Sequence, residues 1–96
     1  MPAYLLVRCR IHDYASFQAY STRTAELVAQ FGGTYRVLGG EPEKLEGDLG
    51  EGAWVISEWP SKEAALKFWH SPEYVEAKAL RADNSDADIM LLQGVS

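Results

Sequence analysis

A change of hydrophobic period, made twice in the same order, restricts this chain more than any other feature. Residues 3–11, AYLLVRCRI, alternate, with Leu5, Val7, Cys9 and Ile11 on one side and Tyr4, Leu6, Arg8 and Arg10 on the other. From Tyr14 the period lengthens: Tyr14, Phe17, Tyr20, Thr24, Leu27, Val28 and Phe31 recur at spacings of three and four, one stripe of an amphipathic helix. Asp13 stands where an N-cap is needed, and Gly32-Gly33 closes the stripe. Alternation returns in TYRVLGG (34–40) and again in AWVISEWP (53–60), where Trp54, Ile56 and Glu58 share a side. Ser61 then opens a second helical stripe through Ala65, Leu66, Phe68 and Trp69, and DADIMLLQGV (86–95) closes the chain as a strand. The Gly-, Pro- and acid-rich run EPEKLEGDLGEG (41–52) reads as a connection, with a short strand expected at 43–46.

The order β-α-β-β-α-β has one economical solution: a four-stranded antiparallel sheet with both helices on one face, the ferredoxin-like α+β arrangement. The first and third strands are then neighbours. The other sheet face carries Tyr4, Leu6 and Trp54 and is too apolar to stand in water. A second copy laid sheet to sheet would cover it, so a homodimer through the open sheet face is expected. Ninety-six residues suit one domain, 1–96, whose small core gains from such pairing.

Charge and composition exclude several classes of partner. A net charge of −5 and a pI near 4.9 disfavour nucleic acid and anionic membrane surfaces. No run is long and apolar enough to span a bilayer, and MPAYLLVRCR lacks the charged lead of a signal peptide, so a cytoplasmic setting is expected. The single cysteine, Cys9, falls on the apolar side of its strand and reads as a small buried hydrophobe. No metal-ligand spacing or phosphate loop is recognisable, and neither a metal nor a cofactor is expected.

In FWHSPEYVEAKALR (68–81) the second helix is interrupted by His-Ser-Pro. Ser71 can cap a new segment, Pro72 fits its first position, and Glu73 faces the positive end of the helix dipole. Tyr74, Ala77, Lys78 and Arg81 continue at helical spacing. The break is thus a helix restart, and it can also set His70 and Tyr74 at the end of a pocket.

Taken together, DYASFQAY, LGG…LEG, SEWPSKEAALKFWHSPEYVEAKALR and the terminal LQGV resemble the domain-of-unknown-function 1330 family of the dimeric α+β barrel superfamily. The most specific part is Glu58-Trp59-Pro60-Ser61, Ser71-Pro72-Glu73-Tyr74 and Lys78…Arg81. The resemblance spans nearly the whole chain and implies a ferredoxin-like protomer and a sheet-to-sheet dimer, but no established activity. In one place the sequence departs from the family. An Arg often precedes the Gly-Gly after the second strand; here Leu38 stands there, with Arg36 two residues earlier and, by simple alternation, on the same face.

The candidate chemistry follows from the strand faces. Arg8 and Arg10 on the first strand and Glu58 on its neighbour can form a cross-strand pair. Two readings stand. In one, Glu58 is a carboxylate base and Arg8, Arg10 or Arg36 an anion anchor, with Trp54, His70 and Tyr74 shaping a pocket between sheet and helices for a small, acidic or enolisable organic molecule. In the other, the same polar residues secure the interface of a non-catalytic dimeric module. Neither names a reaction.

Overall fold

Leu5, Leu27, Val28, Trp59, Ala65, Phe68, Tyr74 and Ala77 make the core, and every one of them belongs to an apolar stripe of a strand or helix. In the computed structural model, which describes residues 1–95, the elements run β1 (Ala3–Ile11), α1 (Tyr14–Gln30), β2 (Thr34–Gly39), β3 (Ala53–Trp59), α2 (Lys62–Trp69), α3 (Pro72–Ala79) and β4 (Ser85–Gln93). The strands form one antiparallel sheet in the order β2-β3-β1-β4. All three helices lie on one face. Trp59 and Leu27, at 1% and 0% exposure, fill the space between the layers. Burial of a side chain such as Leu27 contributes about 1.5–3 kcal/mol.

The helix ends follow from local chemistry. Asp13 accepts from the Ser16 amide at 3.2 Å, and Ser61 accepts from the Ala64 amide at 3.1 Å. After α1 the chain turns through Gly32 at φ 90°, and Gly33 then passes so close to the Trp59 indole that a Cβ there would meet the ring at 2.7 Å. The helix restart is real: α2 ends at Trp69 and α3 begins at Pro72. Ser71 is buried at the joint, donating to the Phe68 carbonyl at 2.7 Å and accepting from the Tyr74 amide at 3.1 Å.

Two local expectations need correction. Residues 43–46 form no strand; they belong to the irregular connection between β2 and β3. Simple alternation also fails in β2. Tyr35 pairs with Ser57 but Val37 pairs with Ile56, so Arg36 is the extra residue of a β-bulge. Beyond the bulge the faces exchange. Leu38 points toward the helices, while Arg36 reaches Glu58 on the open side. The two are therefore not on one face, and Arg36 cannot take the place of an arginine at position 38.

Candidate functional site

The open sheet face has an ordered layout that the ladder registers define. Val37, Ile56, Leu6 and Met90 are successive cross-strand neighbours and make an apolar row across all four strands. Met90 is 63% exposed there. Charged pairs flank the row at either end. Arg8 donates to Asp88 at 2.7 Å, with Arg10 at 3.8 Å from the same carboxylate, and Arg36 donates to Glu58 at 3.2 Å. The hydrogen bond from Arg8 holds the Asp88 carboxyl below its usual range.

The expected pairing of Glu58 with Arg8 or Arg10 does not form. Register is the reason: Glu58 lies opposite Tyr4, whereas Arg8 lies opposite Trp54, four residues or roughly 13 Å along the strand. Glu58, Arg36, Arg8, Arg10 and Trp54 are thus spread along the open face. His70 caps α2 and is exposed. His12 stands near the far end of the sheet, 2.8 Å from Asp86. Of the expected site residues, Tyr74 alone enters the layer between the sheet and the helices.

A cavity of about 110 Å³ occupies that layer, between the sheet and helices α1 to α3. Its walls are mostly apolar, with Leu5, Val7, Val28, Val55, Phe68 and Ile89 among the lining side chains. The sheet contributes Cys9, Tyr35 and Ser57 to its polar lining, and α1, α3 and the turn after α3 contribute a cluster of their own. Tyr20 and Tyr74 share a hydrogen bond at 2.9 Å between their hydroxyls. The Arg81 guanidinium lies over the Tyr20 ring, 5.4 Å from its centroid. Thr24 stands one turn beyond Tyr20 on α1, and both line the cavity. Trp69 stacks on Tyr74 with centroids 5.0 Å apart, and Cys9, 6% exposed, completes part of the floor.

Arg81 is the unusual member. It is 9% exposed and, among the described residues, forms no ion pair; its Nε has no hydrogen-bond partner. Thr24, 7% exposed, likewise has an unpartnered hydroxyl. Buried polar groups are nearly always satisfied, and buried charges nearly always paired. Among the described residues, no Asp, Glu or His lines the cavity. The phenols respond to the same environment. Burial raises the Tyr35 pKa to about 12, with Tyr20 adding to the effect, and burial followed by Tyr20 raises Tyr74 further, against the opposing pull of Arg81. Burial also raises the Cys9 thiol above its ordinary value.

The turn after α3 fixes the backbone around Arg81. The Asn84 side chain donates to the Leu80 carbonyl at 3.0 Å, and the Ser85 hydroxyl donates to the Arg81 carbonyl at 3.1 Å. Sequence reasoning missed Arg81, Tyr20 and Thr24 as site residues, although a signal was present. Tyr74, Ala77 and Arg81 follow at i, i+3 and i+7, which places an arginine on the buried stripe of a helix.

Among the described residues, no three His, Cys, Asp or Glu side chains gather as a metal site, and no helix is long and apolar enough to cross a membrane. A family model described as a domain of unknown function (DUF1330) matches residues 2–95. No curated protein matches the chain. The chain is similar in structure to a protein of unknown function from Rhodopseudomonas palustris, with a TM-score of 0.77, 21% identity, and 99% of this chain and 83% of the other covered. It is also similar to SnoaB, a cofactor-independent oxygenase from Streptomyces nogalater, with a TM-score of 0.72 at 18% identity, covering 99% and 94% of the two chains. A dimeric ferredoxin-like protein of unknown function from Thermobifida fusca gives a TM-score of 0.64 at 14% identity, covering 98% and 92%. At these identities the likeness establishes a ferredoxin-like fold and nothing about chemistry.

Proposed function

The chain belongs to the DUF1330 family, and from that premise we propose that it is a small-molecule-binding protein with its two sheet faces divided by task. The face under the helices holds an organic acid. The open face joins two copies into a homodimer. The observation that carries the first half is Arg81, a buried cation without a carboxylate, at a mostly apolar cavity between sheet and helices. The Tyr20 ring and the Tyr20 and Tyr74 hydroxyls offset part of the cost of burying that charge, and an anionic ligand supplies the counter-charge that no described side chain in the cavity does. Cavities with apolar walls and a few convergent polar groups are the ordinary form of a small-molecule site.

This reading moves the anchor from Arg8, Arg10 and Arg36 to Arg81. It keeps Tyr74 as a wall residue and gives Glu58 and Trp54 to the interface. Glu58 is already held by Arg36 on the open side, so it is not placed to take a proton from a molecule in the cavity. The reading makes the protein a binder first. Any turnover would have to rest on the ligand's own reactivity or on the phenols.

The test is a ligand-observed NMR screen of small organic acids against the wild-type protein and Ser21→Trp. Ser21 is exposed and lines the cavity on α1, so the indole obstructs the cavity without disturbing the core. Compounds that bind the wild type and lose binding in Ser21→Trp support the reading. Equal binding to both proteins overturns it.

A further inference from the structure

We infer that the ligand is a compact monocarboxylate whose body is about the size of one aromatic ring, held side-on by Nε and a terminal nitrogen of Arg81 and by the Thr24 hydroxyl. The inference rests on the cavity being the small-molecule site. Three observations narrow the chemistry beyond that.

The first is charge. Arg81 is the single cation lining the cavity, and no described acid lines it. One negative charge makes a neutral pair in a mostly apolar space. A dianion would leave its second charge buried and unpaired, and a neutral ligand would leave Arg81 as it is.

The second is the set of free donors. Arg81 Nε and the Thr24 hydroxyl are both buried and unpartnered. A third donor comes from the phenols. In the 2.9 Å contact between Tyr20 and Tyr74 only one hydroxyl hydrogen is used, which leaves the other free for a further acceptor. A lone carbonyl or hydroxyl oxygen cannot serve such a spread of donors. A carboxylate offers two oxygens with about four acceptor sites and matches the planar fork that Arg presents through Nε and its neighbour.

The third is size. A cavity of about 110 Å³ is somewhat smaller than the roughly 150 Å³ apolar cavity known to admit benzene. That sets one ring or a short branched chain as the upper limit of the body it takes, below a fused ring system. The walls facing that body are the aliphatic side chains of Leu5, Val7, Val28 and Ile89, with Phe17 and Phe68 beside them. Ser21, Tyr35, Ser57 and Cys9 line the cavity as well, with the Ser57 hydroxyl already accepting from the Trp59 indole.

Isothermal titration of the full chain decides the matter with four probes: benzoate, benzyl alcohol, benzene-1,2-dicarboxylate and 2-naphthoate. The variants are Arg81→Met and Thr24→Val, each near-isosteric and each checked for the wild-type circular dichroism spectrum. Benzoate is expected to bind the wild type about ten- to a hundredfold more tightly than benzyl alcohol, the difference a charge-assisted contact makes. The dicarboxylate and the naphthoate should bind no better than the alcohol. Arg81→Met should abolish the preference for benzoate, and Thr24→Val should weaken it severalfold. If benzyl alcohol binds as well as benzoate, or if Arg81→Met keeps the preference, the carboxylate assignment fails while the cavity remains a small-molecule site. If the naphthoate binds as well as benzoate, the size limit fails. If none of the four binds at millimolar concentration, the cavity reading falls, and this inference falls with it.

Discussion

At the scale of residues, the sharpest distinction lies between Arg81 and the charged groups of the open face. Arg8, Arg10 and Arg36 all have carboxylates beside them, whereas Arg81 is more deeply buried and has none among the described residues. A residue retained for binding against the interest of the fold should show itself in stability. Arg81→Met is therefore expected to melt no lower than the wild type and to gain about 1–2 kcal/mol, since removing an unpaired buried charge is stabilising. A loss of several kcal/mol in chemical denaturation would mean that Arg81 is structural. The phenols give a second prediction. Tyr35 and Tyr74 both have raised pKa values, so the stability tied to their protonated forms is whole below the ordinary phenol value of 10. It then declines as pH rises, through about 12 for Tyr35. Absorbance titration at alkaline pH should show two phenols ionising above the ordinary value, and Tyr74→Phe should remove one of these late steps. Tyr74 was legible in the sequence because the helix restart singled it out. Arg81 was equally legible as the continuation of that stripe two turns on, but a charged residue at helical spacing is easily taken for a solvated one. Glu58 was misplaced for a different reason. Alternation tells which face a residue takes, while its neighbour across the ladder depends on register, which pairing sets.

At the scale of elements, the His-Ser-Pro break is a joint with a purpose. Ending α2 at Trp69 and restarting at Pro72 lets α3 turn Tyr74 to meet Tyr20 on α1. Ser71 secures the joint with two buried hydrogen bonds, so Ser71→Ala should cost about 1–2 kcal/mol in urea denaturation. It should also loosen Tyr74, seen as earlier ionisation of that phenol. An unchanged melting midpoint would show the cap to be dispensable. Caps, helix stripes and strand faces could all be read beforehand because each depends on residues within a few positions of one another. The bulge at Arg36 could not. It shifts the face of every later residue in β2 and is visible only in the pairing of Tyr35 and Val37 with β3. That single extra residue reverses the relation between Arg36 and Leu38.

At the scale of the whole molecule, a sheet with helices on one side leaves the other side to be covered, and the order of elements was enough to foresee it. The apolar row of Val37, Ile56, Leu6 and Met90, flanked by ion pairs, suits a second copy of the same face. Leu6→Asp puts a charge at the centre of that row. It should give a monomer in sedimentation equilibrium at micromolar concentration, where a dimer is the expected result for the wild type. A wild-type monomer would end the interface reading, yet would leave the cavity untouched, because the two faces are separate. What joins the account is the placement of the ligand under the helices. One measurement addresses it directly: the nitrogen–proton correlation spectrum of the arginine Nε groups during titration with benzoate. The signal of Arg81 should shift and saturate while those of Arg8, Arg10 and Arg36 stay in place. Movement of the open-face arginines with Arg81 silent would put the ligand on the wrong side of the sheet and contradict the account.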